Sequence, residues 1–173
     1  AASMTLRDAI DAAATGDVPL LRRLVDYAID RHHPSARDAE EPSLAFFEQV
    51  LDVQAALVAR GRQGGFLHGV MSTDAVTISG ETIDCGPCAF MEQFDPATVF
   101  SSIDHGGRYA YGNQPMITQW NLARLAESLL PLHGDDTDAA IARLTALLES
   151  FPERFTRDLD AGMRRKLGPD GLH

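Results

Sequence analysis

Two acidic residues flank a short β-type segment in the middle of the chain. Asp74 lies just before this segment and Asp84 ends it, while His68-Gly69 precedes both. Such an acid pair suits transfer of a phosphoryl or nucleotidyl group, because one carboxylate can orient or deprotonate an attacking hydroxyl while the other holds Mg²⁺ on the phosphates. Asp is also common at turns, so the residue types alone leave a purely structural role open.

The segment between the two acids is predicted to be a β-hairpin. Val76-Thr77-Ile78 and Thr82-Ile83 are short β-type runs, and Ser79-Gly80-Glu81 between them suits a tight turn. A hairpin that turns near Gly80 would bring its two ends together. We therefore expect the carboxylates of Asp74 and Asp84 to converge on one open cleft.

Helical periodicity surrounds this hairpin and predicts a mainly α fold with about six helices. Thr5 and Asp8 have the spacing of a capping box, and Asp17 and Ser43 are candidate N-caps. A long loop without regular structure is predicted from Pro87 to Pro115. The apolar stripes that predict the other helices run over residues 20–29, 47–58, 120–130, 140–151 and 155–167.

Six blocks of sequence resemble the selenoprotein-O family of pseudokinases. The resemblance covers roughly Leu20 to Leu132, and the glycine- and tyrosine-rich block Gly107–Pro115 is its most specific part. The other blocks that carry it are His68-Gly-Val-Met-Ser-Thr-Asp74, Gly80-Glu-Thr-Ile-Asp84 with Gly-Pro-Cys-Ala-Phe90 shortly after, Asp95-Pro-Ala-Thr-Val-Phe100 and Trp120-Asn-Leu-Ala-Arg-Leu-Ala126, together with Arg31-His-His-Pro34.

The resemblance implies a fold, an activity and a set of site residues. The fold would be the C-terminal lobe of a protein-kinase-like fold, and the activity would be transfer of AMP from ATP to Ser, Thr or Tyr hydroxyls of protein substrates, with Mg²⁺. By motif position, Asp74 matches the proposed catalytic base and Asp84 the metal-binding residue. Ala75 stands where the family has a second metal-binding Asn, and a methyl group cannot coordinate a cation.

A kinase-like active site also needs an N-terminal lobe, which supplies a glycine-rich phosphate cover and a lysine. Upstream of His68 there is no lysine and no glycine-rich loop after a strand, and the single lysine of the chain is Lys166. We therefore expect residues 1–173 to form one domain, a fragment that lacks the nucleotide-binding lobe, binds no ATP or Mg²⁺ tightly and is inactive alone. Residues 1–4 are interpreted as an expression remnant that ends in the start methionine.

Composition argues against several other classes of protein. The formal net charge of −10 argues against nucleic-acid binding, which requires clustered Lys and Arg. No run reaches the roughly 18 apolar residues of a membrane span, and no basic segment followed by an apolar run opens the chain. We therefore expect a cytoplasmic protein, and 14 arginines against a single lysine, together with many alanines, suggest a bacterial source.

Three alternatives remain open from the sequence. Cys85-Gly86-Pro87-Cys88 has the letter pattern of a thiol redox site, although a helix is expected to start at such a motif. A non-catalytic interaction domain that lost the chemistry would explain Ala75. The polar residues of the long loop can be functional or can simply satisfy loop backbone groups: His105, Arg108, Tyr109, Tyr111, Asn113 and Gln114.

Overall fold

The computed structural model describes residues 4–85 and 88–168. This part of the chain is mainly helical, with a two-stranded antiparallel sheet between the third and fourth helices. The helices are α1 (Leu6–Ala14), α2 (Val18–His32), α3 (Pro42–Gly64), α4 (Gln114–Leu129), α5 (Thr137–Glu149) and α6 (Phe151–Leu167), and the strands are β1 (Phe66–Leu67) and β2 (Ala89–Phe90). Short 3₁₀ turns lie at Pro34–Asp38, Tyr111–Asn113 and Leu130–Leu132.

Local capping explains where several helices begin. The predicted capping box at α1 is confirmed, since the Asp8 carboxylate accepts from the Thr5 backbone N–H at 2.7 Å and the Thr5 hydroxyl accepts from Asp8 N–H. Asp17 caps α2 by accepting from Leu20 N–H at 2.9 Å. The prediction that Ser43 caps the next helix is wrong, because the N-cap is Glu41 and α3 begins at Pro42, whose fixed φ suits the first turn.

Helix α3 lies at the centre of the fold and packs against α4 and α6. Its side chains Phe46, Phe47 and Leu51 are completely buried. At the edge of this core, Arg154 of α6 donates to Glu48 and Asp52 of α3 at 2.7 Å each, which links the two helices by two partly exposed ion pairs. The helical core thus forms a rigid support for the segment between α3 and α4. None of the helices in the described ranges is long and apolar enough to cross a membrane.

The sheet does not form where the sequence predicts it. The predicted hairpin is reduced to a single bridge between Val76 and Thr82, whereas the two strands are β1 and β2, with Phe66 opposite Phe90. The reason lies at the predicted turn, where the buried Thr77 hydroxyl donates to Glu81 C=O and accepts from Glu81 N–H, both at 2.9 Å. This side chain replaces the backbone ladder that a hairpin would need.

Gly80 is required at this turn for two separate reasons, which predicts a strong effect of substitution. Its φ is +74°, and a Cβ built on it would lie 2.7 Å from Val53 Cβ on α3. Left-handed backbone costs alanine about 1 kcal/mol and overpacking adds about 1–3 kcal/mol, so Gly80→Ala should lower the free energy of unfolding by about 2–4 kcal/mol in urea denaturation.

Gly16 is a matched control for Gly80. Its φ is also +74°, but nothing lies within 4 Å of its added Cβ. Gly16→Ala should therefore cost only the backbone part, about 1 kcal/mol. The double variant Gly80→Ala, Val53→Gly removes both Val53 Cβ, at 2.7 Å, and Val53 Cγ2, at 2.9 Å from the added Cβ, and so should lose less stability than the two single variants added together. Equal effects of Gly16→Ala and Gly80→Ala would show that the contact with Val53 is unimportant.

Candidate active site

The segment from residue 68 to residue 84, here named the central segment, is held by buried polar side chains from three helices. Asn121 of α4 donates to Met71 C=O at 2.7 Å, and Gln54 of α3 donates to Thr77 C=O at 2.6 Å. The ring of His33, at the end of α2, bonds Ile78 C=O at 2.9 Å through Nε2. Each of these side chains is at most 6% exposed, so each satisfies a backbone group that would otherwise be buried without a partner.

The start of α1 holds the other side of the central segment. The first N–H groups of a helix have no partner within it. Here Leu6 N–H donates to Val76 C=O at 2.9 Å and Arg7 N–H donates to Thr73 C=O at 3.1 Å. In the opposite direction, Ile78 N–H donates to Met4 C=O, just before α1. Met4 itself is buried, and residues 1–3 lie outside the described part of the chain. The sequence gives no direct indication of this contact between α1 and the central segment.

His68 links the beginning of the central segment to its end. Its Nε2 lies 3.0 Å from Ile83 C=O, and because a carbonyl only accepts, Nε2 carries the proton. The His68 backbone N–H donates to Gln114 Oε1 at 3.2 Å, and the amide of Gln114 donates to Phe66 C=O at 3.0 Å. His68 Nδ1 is buried and has no hydrogen-bond partner among the described residues. The His68 ring thus holds the backbone immediately before Asp84.

Asp84 has an unusual backbone conformation. Its φ is +54°, and in residues 4–85 and 88–168 no other residue except glycine has a positive φ. Left-handed backbone is uncommon for residues with a Cβ, although Asp and Asn tolerate it best, and such residues cluster at functional sites. The Asp84 side chain is exposed. The fold therefore holds an acidic side chain at a sharp turn, open to solvent.

Asp74 is also exposed, and its surroundings favour the charged form. A hydrogen bond from the Ser72 hydroxyl lowers the pKa of its carboxyl below the usual value, helped by its own backbone N–H and by the charge of Arg7. Asp74 is consequently a carboxylate at neutral pH, able to accept a hydrogen bond from a hydroxyl group but a weak base.

A cavity of about 400 Å³ lies between the central segment, α3 and the sheet. Ala75 and Cys85, the residues that directly follow the two acids, both line it, as does His68. Asp74 and Asp84 are not among its lining residues. The two acids therefore lie next to one cavity rather than inside it. Convergence of their carboxylates stays a prediction.

The carboxylate oxygens of this site are the kind of ligand that Mg²⁺ uses when it is bound together with a nucleotide. Within the described residues no three His, Cys, Asp or Glu side chains form a metal-binding group. Mg²⁺ on phosphates usually takes only one or two protein carboxylates and completes its shell with water and phosphate oxygens. An exposed Asp84 fits that need. Ala75 is 5% exposed and offers only a methyl group at the position of the expected second ligand.

The two cysteines do not have the setting of a redox site. Both are free thiols, Cys85 exposed and Cys88 partly buried, while Gly86 and Pro87 lie outside the described residues. Cys88 leads directly into β2, and a loop follows β2, so among the described residues after Cys88 there is no helix of the kind that starts at a thiol redox motif. This arrangement does not favour the thiol redox alternative.

The long loop before α4 is held by its own polar side chains, as one interpretation of the sequence expects. The Tyr111 hydroxyl donates to Arg62 C=O, and the Asn113 amide donates to Gly107 C=O at 2.7 Å. The Asp104 carboxylate accepts from the backbone N–H groups of Arg108 and Tyr109 at 2.8 and 2.9 Å. His105 is exposed and its ring makes no hydrogen bond within the described part, so this residue does not satisfy a loop backbone group there.

Sequence comparison agrees with the resemblance in the motifs. The family model "Protein adenylyltransferase SelO" matches residues 12–173. A protein nucleotidyltransferase YdiU from Mycolicibacterium smegmatis is 60% identical over 157 residues, which are 91% of this chain and 32% of that protein. The YdiU of Rhizobium etli is 58% identical over 156 residues, 90% of this chain and 31% of that protein. The chain thus spans about a third of the length of these relatives, and it belongs to the SelO family.

Proposed function

We propose that this chain provides the two catalytic carboxylates of a protein adenylyltransferase of the bacterial cytoplasm, which transfers AMP from ATP to Ser, Thr or Tyr hydroxyls of proteins. The observation that carries the proposal is the central segment itself. Buried side chains of α3 and α4, the His33 ring and the start of α1 hydrogen-bond its backbone, and it ends in the strained, exposed Asp84. A polar loop that is held by several buried side chains and includes strained backbone is typical of a functional site.

The proposed reaction defines what each acid does. The acceptor hydroxyl oxygen forms a bond to the α-phosphorus of ATP, the bond from that phosphorus to pyrophosphate breaks, and the hydroxyl loses its proton. Asp74, ionised at neutral pH, accepts a hydrogen bond from the hydroxyl and orients its oxygen, and then receives the proton. His68 keeps the turn at Asp84 in place through Ile83.

Asp84 is the proposed metal ligand of this chain. A bound Mg²⁺ would neutralise charge on the phosphate oxygens during transfer. Asp84 would hold it through a carboxylate that no described residue engages in an ion pair. The chain would represent the C-terminal lobe of a kinase-like fold, and the nucleotide-binding lobe would belong to the two thirds of its relatives that this chain does not span.

This chain alone should bind Mg-ATP with a dissociation constant in the millimolar range or weaker and should transfer no AMP. The lobe that normally covers the phosphates supplies much of the contact surface for the nucleotide, and without it the acids face solvent. Titration calorimetry with Mg-ATP measures the affinity, and labelled ATP with a protein acceptor measures transfer. A low-micromolar dissociation constant would contradict the proposal that a lobe is missing.

Ala75→Asn should strengthen metal binding in the full-length protein. Ala75 lines the cavity, so a carboxamide at this position has room to extend, and its oxygen restores a ligand that a hard cation prefers. The Mg²⁺ concentration needed for half-maximal AMP transfer should fall, by about 10-fold for each 1.4 kcal/mol by which the restored oxygen strengthens binding. Ala75→Leu, which fills the same space without an oxygen, should show no such gain.

The second candidate function is a non-catalytic interaction domain, and Ala75 is the observation that favours it. A family member that no longer needs two metal ligands would be free to lose one. AMP transfer by the full-length wild type excludes this candidate. An inactive wild type that Ala75→Asn does not rescue would support it.

A further inference from the structure

Two exposed aromatic side chains accompany the cavity that borders the two acids. Phe90 lines this cavity and is 68% exposed, with its ring centre 5.4 Å from that of Phe66. Phe94 is 73% exposed and sets its edge against Tyr111, whose hydroxyl donates to Arg62 C=O at the end of α3. The cavity, Phe90 and Phe94 are here named the Phe90 surface.

The Phe90 surface leaves a large apolar area in water. Two phenyl rings exposed to this extent contribute roughly 300 Å², which is close to the largest apolar patch of many whole monomers. The cavity adds to this area, because most of its walls are apolar: Leu57, Val58, Met71, Ala75 and Val76 are among the lining residues. An apolar area of this size marks an interaction site.

Gly61 lies on the face of α3 that lines the cavity, and packing within the described chain does not explain it. Its φ is not positive, and a Cβ built on it would meet Phe66 Cδ1 at 3.7 Å, an ordinary contact distance. Alanine would therefore fit and would favour the helix more than glycine does. Glycine is the residue that lets another chain approach a helix closely, and here it widens the cavity.

The chemistry of the Phe90 surface favours a permanent occupant over a transient one. Interfaces between partners that separate are about as polar as the rest of a protein surface, whereas permanent interfaces resemble a hydrophobic core cut in half. A mostly apolar cavity with two exposed phenyl rings is of the second kind. The chain spans 32% of one relative and 31% of another, so most of a full-length protein of this length lies outside residues 1–173.

We infer that the part of the full-length protein outside residues 1–173 covers the Phe90 surface and places an apolar side chain in the cavity against Gly61. Ala75 and Cys85, which directly follow the two acids, line the same cavity, so the covering part also closes this side of the candidate site to water. The inference rests on the proposed function for the role of those acids, but covering itself needs neither ATP nor AMP transfer.

An apolar dye measures whether the Phe90 surface is covered. We expect 1-anilinonaphthalene-8-sulfonate to bind residues 1–173 saturably and to bind the full-length protein at least about tenfold more weakly. The double variant Phe90→Ser, Phe94→Ser should reduce the response of residues 1–173 by about half or more, without loss of melting temperature, since both rings are exposed. Tyr27→Ser is the matched control, because it removes an exposed ring on α2, and it should leave the response unchanged.

Gly61→Leu distinguishes a cavity that is filled in the full-length protein from one that stays empty. In residues 1–173 the leucine extends into the cavity and favours the helix, so the melting temperature should stay constant or rise. In the full-length protein it takes the place of the docked side chain, so the melting temperature should fall by about 5 °C or more and the dye response should rise. Gly106→Leu, with nothing within 4 Å of its added Cβ, should change neither protein.

Three outcomes would overturn the inference. An equal dye response of both proteins, reduced in both by Phe90→Ser with Phe94→Ser, would show that the surface stays free for a separate partner. Dimerisation of the full-length protein that this double variant abolishes in sedimentation would assign the cover to a second copy. Equal destabilisation of both proteins by Gly61→Leu would show that packing within residues 1–173 requires the glycine.

The dye measurement and the AMP-transfer assay fail independently. A full-length protein that transfers no AMP but hides the Phe90 surface contradicts the proposed function and supports the inference. A full-length protein that transfers AMP and binds the dye as residues 1–173 do contradicts the inference and leaves the proposed function intact.

Discussion

Asp84→Asn in the full-length protein is expected to reduce AMP transfer by about a thousandfold or more. Asp84 is the carboxylate that this chain offers to a metal, and its loss removes several kcal/mol of charge stabilisation from the transition state. Each 1.4 kcal/mol lost slows the reaction about tenfold. The substitution keeps the size of the side chain. Asn also tolerates the left-handed backbone of Asp84, where φ is +54°, so the turn should stay folded.

The controls separate charge from backbone conformation. Asp160→Asn removes another exposed carboxylate, on α6, and should leave the rate unchanged. Asp84→Gly relieves the left-handed backbone, so it should keep or raise the melting temperature and yet be as inactive as Asp84→Asn. Labelled AMP incorporation and thermal unfolding measure the two effects. Full activity of Asp84→Asn would show that the metal binds elsewhere.

The helices were predictable because their signals are local. A 3.6-residue repeat of apolar residues and a side-chain cap are complete within a few turns of chain, and the Thr5–Asp8 box shows this most clearly. The sheet was not predictable, since β1 and β2 are two residues each and pair across the whole central segment. Strands that short carry no period-2 pattern, and the path of the segment between them determines their pairing.

The candidate site also has a part that could be predicted from local sequence and a part that could not. The motifs identify Asp74 and Asp84, but the side chains that hold the central segment reach it from far along the sequence. Gln54 and Thr77 are an example, since Gln54 lies within the apolar stripe over residues 47–58, which predicts a helix but not this contact. The sequence does carry a signal for this contact, because Gln54 is an amide among buried apolar residues. A buried amide must find partners for its N–H donors, and the backbone of a nearby polar loop is the usual partner.

Asp74 should be essential for rate rather than for folding. In the full-length protein Asp74→Asn should lower AMP transfer by about 10²–10⁴-fold, the usual contribution of a positioned carboxylate to proton transfer. The side chain is exposed, so the melting temperature should change little. A variant that keeps more than about a tenth of the rate would exclude Asp74 as the base.

The pH dependence tests the role of Asp74 more finely. Ser72 is the largest cause of its lowered pKa, so the carboxylate should stay ionised and the Asp74 contribution should be constant between about pH 6 and pH 8. Ser72→Ala removes that cause and raises the pKa toward its ordinary value. The acid limb of the pH–rate profile should then move to higher pH while the rate at neutral pH is largely kept. In Asp74→Asn this limb should be absent and the rate low at every pH. An acid limb that is the same in the wild type, Ser72→Ala and Asp74→Asn would assign the titrating group to another residue.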